Sequence, residues 1–311
     1  MDPPAWCPVG NAERQATRTE VCETDTFVYQ TWITVDGERT ITGEANLAVI
    51  SYSYGDTGIG TIAHQIQTYV SSSWGDAPKA TLTAKAFQYD DCTTESYTYP
   101  DGPLKQQTWD TGEAFFDTTA TNAGDIGPCS TRWRFTFTNP GYSTVLTQFG
   151  FDDFRCDNAT AGRATVGCVI PWYASALTYS SEATPELASH VQRAQASGLP
   201  GSGFDNPLTR TTDPAVISDN RAKACSDAPS VEGKSCDEYP LATSQQGLSA
   251  GGERRSFDGC GLSNIPSQTG PTGVSICMIS ATDQSSQGGT NTQFYRGERV
   301  LQGDPFRVAI S

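Results

Sequence analysis

Residues 27–37 read FVYQTWITVDG, and this stretch decides how the first half of the chain folds. Phe27, Tyr29 and Thr31 alternate with their neighbours, and such period-two alternation is typical of a β-strand with one buried face. The stretch ends in Asp36-Gly37, a strong signal for a tight turn between two strands. It therefore predicts a β-hairpin.

The same alternation recurs elsewhere in the first half of the chain. It appears in residues 47–54, 62–66, 82–89 and 132–137, and turn-forming Gly, Asp and Pro residues separate these stretches. Short strands at this spacing predict an antiparallel β-sandwich or jelly roll. Its aromatic side chains either fill the core between two sheets, which we favour, or bind a surface polymer such as a glycan.

The second half carries helix signals instead. Thr184 is a candidate N-cap for a first helix that ends near Gly198, and Asp213 is a candidate N-cap for a second. The predicted elements are a helix over residues 184–198, a helix over 214–225, a strand over 274–280 and a closing strand over 306–310. These elements predict a small α+β domain. We therefore place the domain boundary at 178/179, with domains at residues 1–178 and 179–311.

Length and charge limit the class of protein. The chain has 311 residues, of which 36% are hydrophobic, and no apolar run reaches the length of a membrane span. The net charge is −15, which argues against a protein whose whole surface binds the phosphates of nucleic acid. Residues 1–180 hold 21 acids and 10 bases, a net −11, whereas residues 181–311 hold 14 acids and 10 bases, a net −4. DNA is therefore not excluded as a partner of the second half.

The ten cysteines fall in near pairs along the chain. A metal site is the competing interpretation, but there is no C-x-x-C and the histidines are only His64 and His190. Proximity predicts five disulfides: Cys7 with Cys22, Cys92 with Cys129, Cys156 with Cys168, Cys225 with Cys236, and Cys260 with Cys277. Disulfides imply an oxidising compartment. We interpret the chain as a secreted protein whose leader peptide is absent from this sequence.

Two acidic segments of the second half suggest chemistry. Asp237 and Glu238 are adjacent, so on an extended segment one faces a reaction site while the other braces the fold, although such pairs are usually solvated turns. Asp283 follows the predicted strand, and oxygen ligands of this kind suit magnesium or manganese. Acids, metal and nearby arginines together predict a phosphodiester hydrolase. The run 253–255, Glu-Arg-Arg, is interpreted as solvated surface.

Six strings in order extend this interpretation to a family. They are residues 185–190, 208–210, 220–225, 233–240, 280–289 and 294–306. In sequence and spacing they resemble the NucA/NucB-type secreted bacterial deoxyribonucleases over about residues 184–311. The resemblance implies a metal-dependent endonuclease, indifferent to DNA sequence, whose active site is similar in layout to the ββα-metal nucleases.

The resemblance also implies roles for individual residues. Asp237 is expected to be the general base that takes a proton from the attacking water, with Glu238 orienting it, holding an arginine or binding metal through water. The candidate ligands of Mg²⁺ or Mn²⁺ are Asp283, Gln284, Gln287 and Asn291. The candidate DNA-binding cations are Arg210, Arg221, Arg296 and Arg299.

Departures from the family pattern leave alternatives open. Gln284 stands where the family commonly has asparagine, and the following segment offers no glutamate as a ligand. A catalytically degenerate protein that binds a glycan or a cell surface is therefore one alternative. A nuclease toxin with an immunity-protein partner is another. His190 is interpreted as a packing or local capping residue of its helix, and His64 as structural or surface.

Overall fold

The computed structural model describes residues 5–7 and 14–311. The chain divides into two compact units, one formed by residues up to 159 together with 163–170, the other by residues 160–162 and 171–311. The sheets of the first unit are antiparallel, as predicted for that half, whereas the second unit mixes antiparallel and parallel strand pairs. In the described part of the chain, no helix combines the length and the apolar character needed to cross a membrane.

The first unit consists almost entirely of strands. They are β1 (Gln15–Ala16), β2 (Glu20–Val35), β3 (Glu38–Asp56), β4 (Ile59–Gly75), β5 (Thr81–Asp90), β6 (Cys92–Thr98), β7 (Gly102–Pro103), β8 (Trp109–Thr118), β9 (Ile126–Thr138), β10 (Val145–Asp157) and β11 (Gly167–Val169), with a 3-10 turn at Ala77–Lys79. The four stretches of alternating residues fall within β3, β4, β5 and β9, which confirms their prediction as strands.

These strands form two sheets with aromatic side chains between them. Their orders are β1-β2-β3-β4-β8-β6 and β11-β10-β9-β5-β7. Tyr29 of the first sheet stacks on Phe137 of the second at 4.9 Å between ring centroids, and fully buried His64 lies edge-on to Trp133. Aromatic side chains therefore fill much of the core. The predicted hairpin joins β2 to β3, and Gly37 at its turn has a φ of +83°, where a Cβ is disfavoured.

The second unit combines three helices with short strands. They are β12 (Ser175–Tyr179), α1 (Pro185–Ala196), β13 (Leu208–Thr209), α2 (Pro214–Cys225), β14 (Lys234–Tyr239), β15 (Arg254–Arg255), β16 (Val274–Ser280), α3 (Ala281–Gly297) and β17 (Pro305–Ile310), with a 3-10 turn at Leu248–Ala250. The two predicted helices and the two predicted strands all occur within a few residues of their expected bounds. The third helix, α3, occupies the segment around Asp283 where the sequence allows a helix or a turn to begin.

Two three-stranded sheets, β12-β17-β13 and β14-β16-β15, support the core of the second unit. Leu187 and Val191 of α1 pack with Tyr239 of β14 and Phe306 of β17 in one buried cluster. The boundary predicted at 178/179 differs from the observed division, because β12 pairs in parallel with β17 and so lies within the second unit.

Five disulfides link all ten cysteines, and the pairing is the one predicted from proximity. Two of them adjoin β14. Cys236 precedes Asp237 and is bonded to Cys225 at the end of α2, while Cys277, opposite Asp237 on β16, is bonded to Cys260. Disulfides therefore cross-link both the residue before Asp237 on β14 and the residue opposite it on β16.

Candidate active site

The candidate site is built on two antiparallel strands followed by a helix. Strand β14 pairs with β16, and α3 begins directly after β16 with Ser280 as its N-cap. Asp237 lies near the middle of β14, whereas Asp283 lies in the first turn of α3. The fold thus brings together two acids that are 46 positions apart in the sequence.

Asp237 is buried and bonded to a histidine. It is 1% exposed, and its Oδ2 lies 2.7 Å from Nδ1 of His190, which α1 presents to the sheet. The other ring nitrogen, Nε2, lies 2.8 Å from Oγ of Ser275 on β16. Three polar side chains from three elements therefore form one continuous buried chain. His190 packs in the core as expected, but it does not cap its own helix, because both of its ring nitrogens bond to side chains of other elements.

The order Asp-His-Ser matches that of a serine hydrolase triad, but burial excludes that chemistry here. A nucleophilic hydroxyl must reach a substrate carbonyl, and the triad histidine must reach the leaving group. Ser275 is 0% exposed and lies inside the sheet beneath α1. The chain of bonds consequently ends at a hydroxyl inside the sheet, and Asp237 at its other end is 1% exposed, so access to it requires movement of neighbouring side chains.

Asp283 caps α1 rather than standing free. Its Oδ2 accepts hydrogen bonds from the backbone N–H groups of Glu186 and Leu187, at 3.0 and 3.2 Å. Thr184 occupies the N-cap position as predicted, but its hydroxyl donates to the carbonyl of Ser180 and makes no capping bond to α1. A carboxylate at a helix N-terminus is favoured by the exposed N–H groups and the helix dipole. His190 follows one helical turn later, so α1 fixes both acids.

The polar face of α3 has unsatisfied atoms. Gln284 donates from Nε2 to Oε1 of Gln287 at 3.0 Å, and Asn291 accepts from the hydroxyl of Tyr179 at 2.7 Å. Oε1 of Gln284 and Nε2 of Gln287 are buried without a hydrogen-bond partner. A buried acceptor of this kind is unfavourable unless water or a cation satisfies it.

Two side chains here could contribute oxygens to a weakly held hard cation. Oε1 of Gln284 is buried without a partner, whereas Oδ2 of Asp283 already accepts two backbone N–H groups of α1. Magnesium commonly takes one or two protein oxygens and keeps several waters. Within residues 5–7 and 14–311, no group of three or more His, Cys, Asp or Glu side chains could hold a metal. Any ion would therefore depend on water and substrate for most of its ligands.

Glu238 lies on the opposite face of β14 from Asp237. Adjacent strand residues point to opposite faces, and the face that carries Glu238 packs towards α2. Burial and the nearby Asp237 carboxylate raise the pKa of Glu238 to about 7, and Arg221 lowers it by a smaller amount. Of the three predicted roles, an electrostatic contact with an arginine is the one that this placement supports.

Replacing Glu238 with Gln should stabilise the protein above neutral pH. The folded pKa of about 7 exceeds the unfolded value of 4.5, so the wild type loses stability as pH rises from 4.5 through 7. We expect Glu238→Gln to gain about 2 kcal/mol at pH 8.5 and nothing at pH 4.5, by urea unfolding. Exposed Glu232→Gln is the control. An equal gain at both pH values would refute the assignment.

The four predicted DNA-binding arginines do not converge on Asp237. Arg299 is 0% exposed, so the prediction that it contacts DNA is inconsistent with its position. Arg210 stacks on the ring of Tyr295 at 3.8 Å, and burial lowers its pKa. Arg221 is exposed on α2, and Arg296 is exposed near the end of α3.

Two cations that were not predicted lie closer to the site. Arg193 and Lys234 line a pocket of about 290 Å³ beside α1, whose wall also includes His190. Lys234 pairs with Glu186 at 2.7 Å, and the guanidinium of Arg193 lies over the ring of Phe257. The spacing of Glu186, His190 and Arg193 on one face of α1 was the signal that could have identified this pocket.

The comparison with known families concerns this same unit. Residues 203–309 match the model described as Deoxyribonuclease NucA/NucB. This region is similar to the NucA/NucB deoxyribonucleases. The NucA/NucB region contains Asp237 and Asp283 but excludes β12 and α1, and therefore His190. No curated protein matches the chain at a significant level.

Proposed function

We propose that the second unit is a secreted, metal-dependent endonuclease that hydrolyses DNA phosphodiester bonds without sequence preference. The observation that carries the proposal is the NucA/NucB match, which spans the strand-strand-helix segment bearing Asp237 and Asp283. The layout of this segment supports a site of the ββα-metal type. Five disulfides support a protein that works in an oxidising, extracellular setting.

Asp237 is proposed as the general base. Its Oδ2 is engaged by His190, which leaves Oδ1 to accept a proton from the attacking water. As that proton moves to Oδ1, the water oxygen bonds to phosphorus and the bond from phosphorus to the leaving oxygen breaks. Because Asp237 is 1% exposed, DNA and water reach it only after neighbouring side chains move.

Asp283 and Gln284 are the residues proposed to hold Mg²⁺ or Mn²⁺. The bound ion would neutralise charge on the scissile phosphate and on the departing oxygen. Gln287 and Asn291 support the polar face of α3, since their oxygens already accept hydrogen bonds from Gln284 and Tyr179. The unit carries few cations, so it makes few phosphate contacts of its own and relies on the metal to neutralise phosphate charge.

The test is cleavage of plasmid DNA by the purified, oxidised protein. We expect nicked and then linear DNA with magnesium or manganese, and no cleavage after EDTA removes the metal, because the cation-poor unit relies on it to stabilise phosphate charge. Restoring an excess of metal should restore cleavage, which separates chelation from damage to the protein. Intact plasmid with either metal, despite a folded protein, would overturn the proposal.

A second candidate function is a degenerate domain that binds a glycan or cell surface. It is favoured by one observation, the lack of a cluster of three metal-binding side chains in the described residues. Titration of Mn²⁺ by calorimetry separates the two. Saturable binding that Asp283→Asn weakens supports the nuclease, whereas no heat at any metal concentration favours the degenerate domain.

A further inference from the structure

We propose that His190 and Ser275 are positioning residues that hold Asp237 in the orientation needed for general-base catalysis. The inference rests on the proposed nuclease function and adds two residues to it. His190 lies outside the NucA/NucB match, whereas Ser275 lies within it. Neither side chain contacts the reacting atoms, so each acts through Asp237.

The geometry of the chain restricts each member. His190 is anchored by α1, whose N-terminus is itself fixed by Asp283, and both ring nitrogens make bonds below 2.9 Å. Ser275 is anchored in β16, where it lies opposite Tyr239 of β14. Asp237 and Ser275 thus approach the ring from two adjacent strands while the helix supplies the ring. A rigid support of this kind holds a reactive group better than a loop does.

Asp237 selects the tautomer of His190. An ionised carboxylate only accepts, so its bond to the ring requires a proton on Nδ1. Nε2 of the neutral ring is then an acceptor, and the Ser275 hydroxyl, which can donate or accept, is placed to donate to it at 2.8 Å. The carboxylate thus fixes the proton and the hydroxyl completes the second bond of the ring.

The expected consequence is a fixed direction for Oδ1. With Oδ2 held by the Nδ1–H group, rotation of the carboxylate would break a bond inside the core, where no water replaces it. Oδ1 therefore keeps one orientation towards the attacking water. Displacement of a reacting group by about 1 Å can lower a rate by about 100-fold, so loss of this support should affect the chemical step.

Kinetics of three variants test the inference. We expect His190→Ala to lower kcat about 10- to 100-fold while KM changes little. His190→Asn keeps an N–H near the position of Nδ1 and should return kcat to within about fivefold of the wild type. Ser275→Ala should lower kcat about fivefold. Ser244→Ala, which removes a buried hydroxyl bonded only to the carbonyl of Leu241, is the matched control.

Nuclear magnetic resonance of the ring nitrogens tests the geometry in the wild-type protein, and a substitution is needed only to assign the signals. The chain has only two histidines, so His190→Asn removes one of two sets of signals and assigns the other. At pH 8 we expect a proton on Nδ1 of His190 and none on Nε2. A proton on Nε2 alone would overturn the inference.

The outcomes separate the two proposals. If the wild type cleaves DNA and a folded His190→Ala protein keeps full kcat, the positioning role fails and the nuclease stands. If His190→Ala loses kcat but His190→Asn does not recover it, the hydrogen bond is not the cause and the inference also fails. If the wild type does not cleave DNA, both proposals fail together. Near-ultraviolet circular dichroism shows which variants are folded.

Discussion

Asp237→Asn should lower the rate of DNA cleavage about 100- to 10,000-fold, the range that general-base catalysis contributes. Asn is almost isosteric with Asp, and its side-chain oxygen can still accept the hydrogen bond from Nδ1 of His190 at the position of Oδ2. The substitution therefore removes the proton-accepting carboxylate while the buried chain to Ser275 persists. Initial rates on a labelled DNA duplex, under saturating metal, give the size of the loss.

The control for this variant is Asp205→Asn, an exposed acid on a loop of the same unit. It changes net charge equally and should leave the rate unchanged. Metal binding should also survive in Asp237→Asn, because Asp283 and Gln284 are the proposed ligands. A folded Asp237→Asn protein that cleaves within about tenfold of the wild type would leave the nuclease but remove Asp237 as its base.

The second large effect concerns stability, at Arg255. This guanidinium is 3% exposed and donates to the carbonyls of Ser197, Gly270 and Thr272 and to the hydroxyl of Ser197. These partners lie after α1 and in the loop before β16, so one side chain joins two irregular segments. Removing it takes the guanidinium donors from the carbonyls of Gly270 and Thr272, and leaves the buried carbonyl of Ser197 with the N–H of Gly270 alone.

We expect Arg255→Met to reduce the free energy of unfolding by about 3–4 kcal/mol and the melting temperature by about 10 °C. Neighbouring Arg254→Met is the matched control, since Arg254 forms a surface ion pair with Asp227 that contributes about 0–1 kcal/mol. Chemical unfolding of both variants measures the difference. Equal losses from the two substitutions would show that the buried contacts of Arg255 carry no special weight.

Local patterns predicted most of the elements. The alternation in residues 27–37 and the helix signals of residues 184–198 are visible within one strand or one helix, and both elements were confirmed. The parallel pairing of β12 with β17 joins segments about 130 residues apart, so no local signal could reveal it. The predicted boundary at 178/179 was displaced from the observed one for this reason.

The contacts of the site were harder to predict than its acids. Asp237 and Asp283 were identified from the two acidic segments, and the resemblance implied a role for Asp237, but the sequence does not show that Asp283 caps a helix 97 residues earlier or that His190 contacts Asp237. The run 253–255 was interpreted as surface, which is wrong for Arg255. Adjacent residues of a strand point to opposite faces, so one arginine of a pair can be exposed while the next is buried.

The position of β12 and α1 has a practical consequence for the choice of truncated fragments of the protein. A fragment limited to residues 203–309 would retain Asp237 and Asp283. Strand β17 would lose its parallel neighbour β12, and Asp237 would lose its hydrogen bond to His190. Leu187 and Val191 would also be missing from the buried cluster that covers Tyr239. A fragment that keeps these contacts therefore has to begin before Ser175, upstream of the matched residues 203–309.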